Sequence, residues 1–224
     1  MVEERIASAC RRAGRERSTV RLMAVSKTHP AEAICEAAEA GLTLFGENRV
    51  QEFEAKRSAL PADVEVHLIG HLQSNKAAKA AAIFSAIDTV DSLRLIERLN
   101  EAAGQLNRRL PVLLEIKLSA EAAKAGFDPR GNELHETLEH AGDLSNVEVR
   151  GLMTVAPLDE NPETARACFR QLRQLREELG RRYPRVSLDE LSMGMSGDFE
   201  IAIEEGSTLV RVGTAIFGAR EKRT

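Results

Sequence analysis

Residues 21–48 read RLMAVSKTHPAEAICEAAEAGLTLFGEN, and this stretch decides the fold. RLMAVS (21–26) is a short apolar run of the kind that fits a strand buried on both faces. Residues 30–40 keep helical spacing. Gly41 follows as a candidate C-terminal cap, because glycine enters the left-handed conformation without steric cost. LTLFGE (42–47) then reads as a second strand.

The same alternation runs through the rest of the chain. Further strand candidates are VEVHLIG (64–70), SAIDTVD (85–91), PVLLEIKL (111–118), VEVRGLMTV (147–155), LDELSMG (188–194) and TLVRVGTAIFG (208–218). Helical spacing recurs at 48–60, 92–103, 133–141 and 162–179, the last with Glu163 in its first turn and Gly180 just past its end. Eight strands, each followed by a helix, make a TIM-type (β/α)8 barrel the leading topology, in the α/β class. The barrel spans 1–224 as a single domain, with an extra helix at the N-terminus. A doubly wound open sheet is the alternative, but no GxGxxG follows the first strand and no P-loop occurs. The loops expected to be most flexible are 124–131 and 156–162, where glycine and proline collect.

Composition narrows the function. The 224 residues carry a net charge of −4, with 43% hydrophobic and 29% charged residues, a soluble balance with no global positive field for nucleic acid or an anionic membrane. Arg11, Arg12, Arg15 and Arg17 read as the solvated face of the first helix. Cys10, Cys35 and Cys168 are widely spaced and odd in number, as expected of free thiols in a reducing compartment. The first residues lack the apolar run of a signal peptide, and no run is long enough to cross a bilayer, so the cytoplasm is the expected location. Clustered metal ligands are missing, and no GxSxG elbow supports a serine triad.

In such a barrel the chemistry sits at the C-terminal ends of the strands. SMGMSGD after strand 7 and RVGT after strand 8 supply small residues, hydroxyls and backbone N–H groups. They either build an anion-binding nest for phosphate or merely permit tight turns, and spacing does not choose between the two. Lys27 ends strand 1. A lysine there is ordinarily a surface residue, but one lodged between strands loses solvation and becomes a free amine able to attack an aldehyde. An amine facing a phosphate anchor is what pyridoxal 5′-phosphate (PLP) requires. Arg211 would complete the site, donating to the pyridine nitrogen without giving up a proton. Glu47 is a possible base, although pairing with Arg49 or a lysine is the commoner outcome, and His67 reads as a packed, hydrogen-bonded core residue.

At these residues the chain resembles a known family. AVSKTHP (24–30), LFGENRVQE (44–52), HLIGHLQSNK (67–76), the spaced Ser119, Glu121, Lys124 and Gly126, GLMTVAP (151–157) and LSMGMSGDFEIAIEEGSTLVRVGTAIFG (191–218) are similar to the PLP homeostasis proteins, an alanine-racemase-like family. The resemblance implies the fold-type III PLP barrel without the C-terminal β domain. It implies PLP held as a Schiff base on Lys27, phosphate against Ser196, Gly213 and Thr214, and Arg211 facing the pyridine nitrogen. Asn48 and Met193 are expected close to the cofactor. Lys117 departs from the pattern, since many members carry Asn there. It adds a second amine near the mouth, with Lys76 and Lys79 as further lysines. His71 fills a variable position and takes no role.

The implied role is non-enzymatic: holding PLP and influencing vitamin B6 and amino-acid homeostasis, with transient contact with PLP-dependent apoenzymes, as monomer or dimer. The alternative is a PLP-dependent amino-acid racemase or related enzyme. Racemisation needs an acid/base on each face of the bound amino acid. Racemases of this type bring a tyrosine from an added domain, whereas the single tyrosine here, Tyr183, lies in a helix-to-strand connection. A barrel that binds some other phosphorylated ligand, with no Schiff-base chemistry, is the third reading.

Overall fold

The computed structural model describes residues 1–118 and 125–218. Eight parallel strands close into one barrel in chain order: β1 (Arg21–Val25), β2 (Leu44–Glu47), β3 (Glu65–Leu68), β4 (Ala86–Val90), β5 (Leu110–Glu115), β6 (Val147–Met153), β7 (Glu190–Ser192) and β8 (Leu209–Val212). Closure is made by β1 against β8, with Met23 opposite Arg211 and Ala24 opposite Val212. Seven of the eight apolar runs contain one of these strands whole, and β5 begins one residue ahead of its run, at Leu110. Strands β4 and β8 are buried along their whole length, which explains their unbroken apolar character.

Around the barrel lie α1 (Val2–Arg12), α2 (Ala31–Glu39), α3 (Val50–Lys56), α4 (Ala77–Ile83), α5 (Leu93–Gln105), α6 (Asn132–Ala141), α7 (Pro162–Arg182), α8 (Phe199–Glu204) and α9 (Thr214–Phe217). Helix α7 starts as its sequence dictates: the Asn161 side chain accepts the Glu163 N–H at 3.0 Å and Pro162 opens the first turn. Helix α1 has Glu3 and Glu4 in its first turn and Arg11 and Arg12 in its last, the order that complements its dipole. Its buried face, Ile6, Ala9 and Cys10, packs with Phe199, Ile203, Val210 and Val212 in a cluster outside the barrel. Glycine is obligatory where β6 meets β7. A Cβ on Gly151 would stand 1.9 Å from the Glu190 carbonyl oxygen.

Three details differ from the sequence reading. The run 208–218 is not one strand: β8 ends at Val212, and Gly213 leads into the single turn of α9. The helix expected over 48–60 is α3 followed by a 3₁₀ turn, Arg57–Ala59, which stops before Pro61. The described part of the loop 124–131 is tied down. Phe127 is buried, its N–H donates to Glu115 O at 2.8 Å and its carbonyl accepts the Lys117 N–H at 2.9 Å. The reason is the aromatic ring, which the glycines and proline around it mask. Ser119, Glu121 and Lys124 lie outside the described residues.

Candidate functional site

Because β7, β8, β1 and β2 are consecutive around the barrel, the loops after them form one arc of its C-terminal rim. Lys27, Asn48, Met193, Ser196, Gly213 and Thr214 all fall on this arc, and Arg211 lies in β8 beneath it.

Arg211 is the best-defined of them. Its side chain is buried, with 4% of the residue exposed, and its guanidinium is fixed from two sides. One terminal nitrogen donates to Ser192 Oγ at 2.7 Å and the other to the Thr154 carbonyl at 2.8 Å. Two of five N–H donors are thereby used, and the fork is held in one plane. Burial lowers the guanidinium pKa, while the negative charges of Asp88, Glu115 and Asp198 act against that shift.

The loop after β7 depends on Gly194. Its φ is +96°, and a Cβ there would stand 2.5 Å from the Ala202 Cβ. The Gly194 carbonyl accepts the Arg211 N–H at 2.9 Å, and Met195 N donates to Asp198 Oδ1 at 2.5 Å. Burial raises the Asp198 pKa, against the Met195 N–H and Arg211. Ser196 reaches across to strand 8, where its Oγ accepts the Gly213 N–H at 3.2 Å. Gly213 also lies against β1, since a Cβ there would be 3.3 Å from the Val25 carbonyl oxygen. The two glycine-bearing loops and the end of β1 are thus one connected unit. Met193 is fully buried in the main core. Thr214 is exposed and Asn48 half-buried, and the backbone of Asn48 lies against Gly70, where a Cβ would meet its carbonyl oxygen at 2.2 Å.

Lys27 occupies the second position of a turn closed by His29 N–H donating to Ser26 O at 3.0 Å. Thr28, the third residue, has φ +70°, an uncommon conformation for a β-branched side chain. The turn is gripped from outside. Thr28 N–H donates to Glu52 Oε1 at 2.6 Å, and Lys56 Nζ donates to the His29 carbonyl at 2.9 Å. The His29 ring stacks on Phe217 of α9 with centroids 4.9 Å apart.

Glu47 pairs with a lysine, as one of its expected partners: Lys56 Nζ lies 2.7 Å from its Oε1, which also accepts Ser26 Oγ at 2.5 Å. Burial raises the Glu47 pKa, opposed by Lys56 and Ser26. His67 is buried with Nδ1 3.0 Å from Asp88 Oδ1, as a packed histidine should be. His71 is exposed and contacts Asp91. Tyr183 follows α7, at the opposite end of the barrel from Lys27, and its hydroxyl is 2.9 Å from His135 Nδ1. Lys117 is half-buried just beyond β5, and Lys79 pairs with Glu54 on the outer helices.

Sequence reasoning missed Glu115. It ends β5 at the rim and is half-buried there. Burial first, then the charge of Asp91, push its pKa up to about 7, against the pull of Arg211. A carboxyl titrating near neutrality at a barrel mouth can accept or release a proton there. Its only sequence signal was a glutamate inside an apolar strand.

The donor set suits a phosphorylated aldehyde: an amine on Lys27, hydroxyls on Ser196 and Thr214, the Gly213 N–H, and a planar cation on Arg211. Among the described residues no three His, Cys, Asp or Glu side chains gather as a metal site, and no helix is long and apolar enough to cross a membrane.

Comparison with known proteins points the same way. The family model described as the alanine racemase N-terminal domain matches residues 2–221. The pyridoxal phosphate homeostasis protein of Aquifex aeolicus is 47% identical over 221 residues, covering 98% of this chain and 96% of its own. That of Escherichia coli K12 is 41% identical over 224 residues, covering 98% and 94%. The structure of PipY from Synechococcus elongatus PCC7942 with PLP bound matches with a TM-score of 0.85 at 46% identity, over 97% of this chain and 100% of that one. An alanine racemase from Clostridium difficile 630 shares the fold, with a TM-score of 0.74 at 17% identity, and the match spans 56% of its chain.

Proposed function

This chain belongs to the alanine racemase N-terminal domain family and, within it, to the pyridoxal phosphate homeostasis proteins, and from that premise we propose that it binds PLP covalently through Lys27. The Lys27 amine adds to the aldehyde carbon, water leaves, and a C=N bond remains. Ser196, Gly213 and Thr214 hold the phosphate. Arg211 faces the ring nitrogen, with Asn48 beside the ring and Met193 in the layer beneath. The protein keeps a reactive aldehyde bound and takes part in PLP and amino-acid homeostasis without turnover.

One observation carries the reading. Arg211 is buried, locked by Ser192 and Thr154, and placed on the strand that pairs with the one leading to Lys27. PLP supplies an electron sink, and its strength depends on protonation of the ring nitrogen. A guanidinium donates a hydrogen bond to that nitrogen but has no proton to give readily. Such a site favours holding the cofactor over stabilising a carbanion. Tyr183 supports the same view, because it is engaged with His135 at the far end of the barrel.

A second reading, an enzyme acting on amino acids, is favoured by Glu115, whose pKa of about 7 suits a proton acceptor. One experiment tests the Schiff base that both readings share, and a second separates them. Titration with PLP should produce the visible absorption of a Schiff base, absent from Lys27→Ala. Incubation of the PLP-loaded protein with alanine in deuterium oxide should leave the α-proton in place. Steady exchange would establish the enzyme reading and overturn the carrier.

A further inference from the structure

We propose that Lys56, together with Glu47 and Glu52, is a positioning device that sets the Lys27 turn for attack on an aldehyde. The inference rests on Lys27 as the Schiff-base lysine.

Lys56 is the last residue of α3, and a helix-end lysine is normally solvated. Here 9% of its side chain is exposed. Its ammonium faces four oxygens: Glu47 Oε1 at 2.7 Å, Glu52 Oε1 at 3.3 Å, His29 O at 2.9 Å and Ser26 O at 3.4 Å. Two of these carbonyls flank Lys27 in the chain, one at Ser26 and one at His29. Both carboxylates also bind the turn directly, Glu47 through Ser26 Oγ at 2.5 Å and Glu52 through Thr28 N at 2.6 Å. Every residue around Lys27 from 26 to 29 is therefore held by this triad.

The arrangement is costly, which argues for a purpose. Burying Glu47 completely requires a paired cation, and one of its oxygens, Oε2, is still without a partner. Thr28 sits at φ +70°, a strained conformation that persists only when its surroundings impose it. Strain of this kind next to a reactive amine is expected where an amine must point one way. Attack on an aldehyde needs the nitrogen on a defined path, and small misplacements lower the yield of the bond. A surface turn with a solvated lysine would need none of this.

The test compares two ligands that differ only at the reacting carbon: PLP, and pyridoxine 5′-phosphate, which carries a hydroxymethyl group in place of the aldehyde. The variants are Glu52→Met, which removes the acceptor of the Thr28 N–H and leaves the Lys56–Glu47 pair in place, and Lys56→Met combined with Glu47→Gln, which removes both buried charges together. Each should lower the fraction of Lys27 joined to PLP at equilibrium by about tenfold or more, read from the visible Schiff-base band and from peptide mass after borohydride reduction. Affinity for pyridoxine 5′-phosphate should stay within about twofold of wild type. Thr28→Asn, which enters the left-handed region more readily, should recover part of the loss caused by Glu52→Met. Equal loss of both ligands, or unchanged Schiff-base formation in both variants, would overturn the inference. If the wild-type chain itself is not modified at Lys27, the Schiff-base reading fails first and takes the inference with it.

Discussion

Replacing Glu115 with Gln should make the protein's stability less sensitive to pH. The wild-type carboxyl rises from 4.5 to about 7 on folding, first because β5 buries it and then because Asp91 repels its charge. Between those two pH values the unfolded chain releases this proton while the folded chain keeps it, so the unfolding free energy falls as pH rises. The loss is complete above about pH 7 and absent below the unfolded value. At about 1.4 kcal/mol per pH unit, the rise from 4.5 to about 7 corresponds to about 3 kcal/mol. The carboxyl is only partly shielded from water, so about 2 kcal/mol is a fairer expectation. Glutamine is nearly isosteric and has no proton to lose. Urea denaturation of both proteins at pH 5 and pH 8 gives the test. The difference between them should shift by about 2 kcal/mol in favour of Glu115→Gln at the higher pH, about 4–8 °C in Tm for a chain of this size. Glu47, Glu190 and Asp198 are also raised by burial, but they titrate in both proteins and cancel. An equal stability difference at the two pH values would refute the placement of a buried, near-neutral carboxyl at the mouth.

Other expected outcomes follow from the same geometry. Arg211→Lys keeps the charge but cannot span Ser192 Oγ and the Thr154 carbonyl together. It should weaken PLP binding about tenfold and shift the Schiff-base absorption, and wild-type titration curves would refute this. Gly151→Ala drives a Cβ into the Glu190 carbonyl and should cost about 3 kcal/mol in urea denaturation, since backbone atoms of β7 must move. Ser207→Ala removes a buried hydroxyl that lies within 3.2 Å of the carbonyls of Leu191, Met193 and Leu209, and should cost about 1–2 kcal/mol by the same assay.

The barrel was legible because its strands are buried on both faces, so each wrote a separate apolar run into the chain. Arg211, Ser196, Gly213 and Lys27 stood out as candidates because they lie in short motifs within or just after strands, and the fold sets them on one arc of the rim. What the sequence hid was set by pairing across distance. Lys56 and Glu52 lie more than twenty residues from the turn they hold, in a helix whose charges resemble any solvated surface. Glu115 gives no sign of its environment until Asp91 and Arg211 are folded around it. Phe127 fixes a segment whose composition reads as a mobile loop. Only the strand register brings such residues together, and no spacing within the chain reports it.

The most direct test of a Schiff base on Lys27 is to mix the protein with PLP, reduce with borohydride, and map the modified peptides by mass spectrometry. Hydride converts the C=N bond to a stable secondary amine, leaving a permanent mark. The expected result is a mark concentrated on the peptide containing Lys27, with little on those containing Lys76, Lys79, Lys117 or Lys124. A mark spread over several lysines, or none at all, would contradict covalent binding at the mouth and leave a barrel that holds a phosphorylated ligand without bonding to it.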